Sequence, residues 1–402
     1  MFNHLCLTHW SFSGGARSSL SGRRYSWSGT RLSKLSFGFN NRLIMKILYG
    51  VQGTGNGHIS RARALNTALG DVGLDVDFIF SGRDKDQYFN MEEFGNYRTY
   101  SGLSLSIKDG KLDLLKTSLK NKPTRFFRDV FDLEFNAYDL VISDFEPITA
   151  WAARYQKIHT IGISHQNAFR YDIPKVNGYY LSKQVTNNFA PTNTRIGLHY
   201  YHFGHPILPP LISIRKVDDN DKNTILVYMG FENLQDIISL IKPFKNFRFI
   251  VYAKVSEKQV SANYTIKPLS FEGFHKDLAS CEGVICNAGF ELTSEALSLG
   301  KKLLVKPLHK QYEQLSNCET LKYLNLGMIM NSLNHDAVDH WLSLHDFLKP
   351  LNYPDVAQAI AEAISQDPQL DISKLKEDLW RNIHLVNGSD QPTLLSRKTD
   401  QI

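Results

Sequence analysis

Short apolar runs, each followed by a stretch with helical spacing, recur through most of this chain, and that alternation limits its fold more than any other feature. Lys46–Val51, Val76–Phe80, Leu140–Ser143 and Thr160–Ile163 are such runs, with helical spacing over Ile59–Leu69. The pattern restarts after Gly204-His-Pro-Ile-Leu-Pro-Pro210, read as a linker, and the polar run Asp218-Asp-Asn-Asp-Lys222. From there Thr224–Tyr228, Arg248–Tyr252, Gly283–Cys286 and Lys302–Val305 alternate with helical segments at Gln235–Ile241, Phe290–Leu299 and Gln311–Leu324. Strands without polar alternation are buried on both faces, as in a parallel sheet covered by helices. The expectation is an α/β protein with two doubly wound, Rossmann-like domains facing across a cleft. An N-terminal domain would cover 45–210 and a C-terminal domain 211–345. A helical segment and tail would follow over 346–402, where Val356-Ala-Gln-Ala-Ile-Ala-Glu-Ala-Ile364 is the clearest amphipathic stretch.

Charge is distributed unevenly. Of 46 Lys and Arg, six lie in the first 44 residues, which hold no Asp or Glu, so the rest is balanced at 40 basic and 40 acidic residues. The net +6 therefore belongs to that segment, and a basic body built for nucleic acid is not supported. Residues 1–44 are rich in Ser, Gly and Arg, and are read as a disordered extension upstream of an initiator at Met45. A transit peptide and a basic tail are the other readings. No apolar run reaches the roughly 18 residues that suggest a membrane span. Cys6, Cys281, Cys286 and Cys318 show no paired or CxxC spacing. They fit structural thiols in a reducing, cytoplasmic compartment, with neither a metal nor a cofactor expected.

Chemistry is concentrated at the ends of the apolar runs. Val284-Ile-Cys-Asn-Ala-Gly-Phe-Glu-Leu-Thr-Ser-Glu-Ala-Leu-Ser-Leu-Gly300 reads as strand, tight turn and helix. Ala288 and Gly289 would let a diphosphate approach the helix start, where free N–H groups and the helix dipole favour an anion. Glu295, one to two turns along, is placed for ribose hydroxyls. The first strand runs into Gly53-Thr-Gly-Asn-Gly57-His58. Its spacing is not GxGxxG, and Ser81-Gly82-Arg83 stands where a dinucleotide site needs an acid. Gly55, Asn56 and Gly57 are acceptor-side candidates, and His58 is a candidate general base, with helix capping or ligand contact as its alternatives. Asp144 and Glu146, in Ser143-Asp-Phe-Glu-Pro147, could orient that histidine or bind acceptor hydroxyls, and either could equally be a helix N-cap. His165 ends the next strand on the same rim. Gly230 could line donor phosphates and Phe274 the base, the alternatives being a turn glycine and a core aromatic.

Taken together, His58 after its glycine-rich loop, Asn287 to Glu295, Pro307, and Glu313-Gln314 with Asn317 resemble the GT-B glycosyltransferases. The likeness covers about residues 45–330. It is strongest to the branch containing the lipid II-forming N-acetylglucosaminyltransferase and to an uncharacterised bacterial and archaeal relative group. The resemblance implies contact of Ser294 and Glu295 with ribose and of Glu313 and Gln314 with the donor sugar, and inversion through direct displacement; no metal bridging the diphosphate is expected. The expected partners are a nucleotide-sugar donor, UDP-linked first of all, and an unidentified hydroxyl acceptor. The branch's double-glycine loop is matched only approximately by Thr54–Gly57, so its lipid diphosphate acceptor does not carry over, although a lipid-linked acceptor stays open. The apolar and basic stretch Leu112–Arg128 suits the inner face of a membrane or, equally, the flank of a domain. A UDP-sugar 2-epimerase and an inactive sugar-nucleotide-binding protein are the alternatives to a transferase.

Overall fold

The computed structural model describes residues 45–103, 123–179, 187–212, 221–344 and 350–383, with short pieces at 107–108, 111–112 and 184. Two seven-stranded sheets organise it. The first has strands β1 (Lys46–Gln52), β2 (Asp75–Ser81), β3 (Arg98–Tyr100), β6 (Leu140–Asp144), β7 (Thr160–Ser164), β8 (Thr194–Leu198) and β9 (Ile207–Leu208), in the spatial order β3-β2-β1-β6-β7-β8-β9. All its pairings are parallel. A separate antiparallel pair joins β4 (Ile107–Lys108) to β5 (Lys111–Leu112). The second sheet runs β12-β13-β11-β10-β14-β15-β16. Its strands are β10 (Asp221–Tyr228), β11 (Arg248–Ala253), β12 (Gln259–Val260), β13 (Tyr264–Pro268), β14 (Cys281–Asn287), β15 (Lys302–Lys306) and β16 (Met328–Ile329). Only the edge strand β12 runs antiparallel.

Each sheet reverses its winding once, between β1 and β6 in the first and between β10 and β14 in the second. The crevice at the carboxyl ends of such a pair is where open α/β sheets bind ligands. The sequence makes these central strands the most buried. Ile47, Leu48, Tyr49 and Val51 of β1, and Val284, Ile285 and Cys286 of β14, have no exposure. The passage read as a linker instead places Ile207 and Leu208 beside Gly197 and Leu198 as an edge strand. Pro206 and Pro209 flank that pairing, so the lost N–H groups fall outside it.

Helix α1 (Asn56–Asp71) follows β1. Helices α2 (Pro123–Asp132) and α3 (Pro147–Gln156) cover the first sheet, and α4 (Leu234–Ile241), α5 (Phe271–Ser280), α6 (Phe290–Ser298), α7 (Tyr312–Tyr323) and α8 (His335–Ser343) cover the second. Helix α9 (Val356–Gln366) packs on α1, and α10 (Ile372–Trp380) on β9. The chain thus returns to the first sheet, where the Trp380 indole donates to the Ile207 carbonyl at 2.7 Å. Two large apolar clusters form the core, one running through β1, β14 and α9 and the other around Trp341 of α8. A Cβ at Gly283 would lie 2.7 Å from the buried Trp341 ring and 3.2 Å from Lys302 Cβ. Gly283→Ala should therefore destabilise the protein by about 1–3 kcal/mol, as overpacking does; a urea midpoint equal to wild type would contradict this packing.

Candidate active site at the facing switch points

The first switch point presents His58 and Asp144. Gly55 caps α1 without a side-chain hydrogen bond, which leaves His58 in the first turn of a helix with no acidic residue there. Asp144 ends β6, opposite Val51 of β1. After it Phe145 adopts φ 52°, an uncommon conformation for an aromatic residue. The turn sends the two neighbouring carboxylates to different tasks. Glu146 caps α3, accepting from the Ile148 and Thr149 amides at 2.9 and 2.7 Å and from the Ser81 hydroxyl at 2.6 Å. Asp144 points to His58, with Oδ1 2.8 Å from Nδ1.

Arg61, one turn further along α1, grips the same carboxylate. Its Nε and Nη2 donate to Asp144 Oδ2 and Oδ1, each at 2.6 Å. Nη2 also lies 2.9 Å from His58 Nδ1. A guanidinium only donates and a carboxylate only accepts. The 2.8 Å contact between Nδ1 and a carboxylate oxygen, which can only accept, needs a proton on Nδ1, so we assign the Nδ1 proton to the His58–Asp144 bond. Nε2 then keeps its lone pair, and among the described residues it has no hydrogen-bond partner. Burial opposes ionisation of Asp144, yet Arg61 and His58 hold its carboxyl below the usual carboxylate range.

Across the cleft, Arg61 Nη1 donates to Glu291 in the first turn of α6. The approach is close: a Cβ on Gly57 would come within 2.7 Å of Glu291 Oε2. Six of the donor-side candidates lie in this half, on or before α6. Gly289 caps α6 without a side-chain bond, and the Ala288 carbonyl accepts from Asn317 Nδ2 at 2.9 Å. Glu295 is buried, receives the Ser60 hydroxyl at 3.4 Å and lies 3.7 Å from His275 Nε2. The Ser294 hydroxyl is buried without a partner. Phe274 packs edge-on against Tyr228 and Tyr252, and Gly230 is exposed after β10.

Other candidates form a seam between the halves. Glu313 accepts from Gln166 Nε2 at 3.0 Å. The Gln314 carbonyl instead accepts from the Leu308 amide within the second half. His165 is 1% exposed and stacks on Phe290 at 3.8 Å. Both its ring nitrogens face acceptors, the Leu198 carbonyl at 2.9 Å and Asn317 Oδ1 at 2.6 Å. These contacts favour its charged form, but burial outweighs them and lowers its pKa. Asn56 bridges the halves through Nδ2 to the Tyr228 hydroxyl at 3.3 Å. Sequence reasoning did not single out Arg61 as a functional residue, nor Glu291, Ser60 or His275. The i, i+3 spacing of His58 and Arg61 on one helix face was the available signal.

Much of the basic stretch Leu112–Arg128 lies outside the described residues. At its end Phe127 and Phe131 of α2 are exposed beside Tyr155 of α3. Among the described residues, no helix is long and apolar enough to cross a membrane.

Two Rossmann-like domains whose switch points meet across a cleft define a GT-B fold. The chain belongs to the family described as Glycosyl transferase family 1, whose model matches residues 45–345. Among solved structures, it is similar to the kitacinnamycin glycotransferase at 13% identity, covering 84% of this chain and 96% of that one, with TM-score 0.52. LpCGTa in complex with UDP is also 13% identical, with 84% and 95% covered and TM-score 0.51. MurG of Acinetobacter baumannii is 16% identical, with 80% and 99% covered, but its TM-score of 0.48 does not single out that branch. Nothing among curated proteins matches the chain.

The seam also carries a pH dependence. Thr320 gives its proton to the Pro174 carbonyl at 2.8 Å, so His199 Nε2–H donates to Thr320 Oγ1 at 3.1 Å, and Nδ1 is buried without a partner. Burial, with His165 and Lys175 nearby, holds its pKa well below normal. The unfolded chain therefore takes up a proton near pH 6.5 that the folded one refuses. Stability from this group is complete above about pH 6.5 and is lost as pH falls below it. The urea midpoint should drop between pH 7 and pH 5, and His199→Gln should flatten that drop; equal slopes would refute the assignment.

Proposed function

We propose that the protein transfers a hexose or N-acetylhexosamine from a nucleoside diphosphate sugar, UDP-linked by preference, to a hydroxyl acceptor with inversion. The observation carrying this reading is the His58–Asp144 pair, with its free Nε2, opposite the uncapped start of α6. The acceptor O–H gives its proton to Nε2 while its oxygen bonds to the anomeric carbon. The bond from that carbon to the diphosphate breaks, and the nucleotide leaves with the electron pair. Asp144 stabilises the imidazolium that forms, and the α6 N–H groups offset charge on the departing diphosphate. Glu295 receives the ribose hydroxyls, and Glu313 with Gln314 receives the sugar. Donor entry requires Gln166 to release Glu313 and the contact between Arg61 and Glu291 to widen.

Calorimetry should show UDP binding, and a panel of UDP-sugars should yield UDP release. His58→Ala should lower turnover by about 10²–10⁴ while leaving UDP affinity near wild type. Absence of both UDP binding and release would sink the proposal, and conversion of UDP-N-acetylglucosamine to its 2-epimer without acceptor would replace it. Exposed Phe127, Phe131 and Tyr155 with Arg125, Arg128 and Arg154 support peripheral contact with an anionic membrane. Flotation with anionic but not neutral liposomes is expected; equal flotation with both, or none, would remove that part of the reading.

A further inference from the structure

Arg83 stands apart from the two arginines that α1 brings to the cleft. Arg61 holds Asp144 and Glu291, and Arg63 pairs with Glu93 and the Asn90 carbonyl. Among the described residues Arg83 has no carboxylate partner. A guanidinium offers five N–H donors, and toward the described residues Arg83 uses one, from Nη1 to Asn56 Oδ1 at 3.2 Å. The Tyr88 ring lies 5.2 Å beneath its charge. Burial lowers its pKa, and the groups acting against burial are the tyrosines Tyr88 and Tyr228.

The position is as specific as the missing counterion. Arg83 follows β2, next to β1 at the carboxyl edge of the first sheet. Gly82, at φ 101°, leaves a would-be Cβ only 2.7 Å from the Thr54 methyl, so the end of β2 presses on the Gly53–Gly57 turn. Asn56, which accepts from Arg83, donates to the Tyr228 hydroxyl at the end of β10. A cation with unused donors thus stands where the carboxyl ends of both sheets meet. Its residue takes the place that an acid fills when such a sheet binds a dinucleotide ribose.

We propose that Arg83 is a phosphoryl-binding residue, receiving a phosphate oxygen of a substrate seated between the Gly53–Gly57 turn and Tyr228. Charge-assisted bonds from a planar guanidinium suit phosphate geometry. The phosphate comes either from the donor diphosphate or from a phosphorylated acceptor. Both are substrates of the proposed glycosyl transfer, so the inference rests on that reading.

Calorimetric titrations of UDP, uridine and inorganic phosphate into wild type, Arg83→Gln and Arg83→Lys separate the cases. If the donor is the source, Arg83→Gln weakens UDP binding about tenfold or more and leaves uridine unchanged. If the acceptor is the source, UDP binding is unchanged, and inorganic phosphate binds UDP-saturated wild type but not Arg83→Gln. Arg83→Lys should keep part of either effect, and its melting curve serves as the check on folding should Arg83→Gln fold poorly. Wild-type behaviour of Arg83→Gln toward both UDP and phosphate overturns the proposal. Should wild type neither bind UDP nor release it from UDP-sugars, the glycosyltransferase reading fails instead, and phosphate titrated into the free protein still decides the role of Arg83.

Discussion

The buried contact between Arg61 and Asp144 is the constraint on which the site depends. Removing two charges from water costs several kcal/mol per ion, and their attraction offsets this only when geometry is good and the remaining polar atoms are bonded. Here both conditions hold, since the carboxylate takes two guanidinium bonds and a third from His58. Such pairs are weak evidence for stability, because apolar replacements often serve as well. This one instead fixes the direction of an imidazole and, through Glu291, ties that direction to the approach of the second half. Orientation of the proposed base and closure of the cleft therefore share one side chain.

The seam on either side of that contact carries several polar pairs beside the stacking of His165 on Phe290. His165 with Asn317, Gln166 with Glu313, His199 with Thr320 and Tyr200 with Thr293 each join the two halves by a hydrogen bond. Bonds of this kind have small net worth, because water replaces them when they break. The largest apolar cluster also runs through both halves, from Ile47 and Leu65 to Cys286 and Phe290, so packing holds the seam together with these bonds. Glu313, on which donor recognition was expected, is one of the residues that join the halves.

The fold was legible where strands are central. β1, β6, β14 and β15 are unbroken apolar runs because helices cover both faces, and their periodicity leaves few alternatives. Tyr264–Pro268 and Thr194–Leu198, farther from the centre, mix polar and apolar residues, and nothing local distinguishes them from loops. The Pro-rich edge strand β9 was hidden for a related reason: proline argues against a strand, and only its flanking placement removes the conflict. Sequence placed His58 and Asp144 at neighbouring strand ends, but left Asp144 and Glu146 interchangeable. The backbone of Phe145, which turns one carboxylate into the cleft and the other onto a helix, separated them. Arg61 escaped notice because its importance comes from residues 83 and 230 positions away.

The return of α9 and α10 to the first sheet means that the backbone passes between the halves twice. A single crossing would let the second half swing and twist in any direction, as a ball joint does. Two crossings, the later one secured by Trp380 on Ile207 and by Tyr353 on the Tyr200 carbonyl, join the halves at two places. The chain thus ties the second half to the first at both of its ends, and the facing of His58 and α6 is held by more than the bonds of the seam.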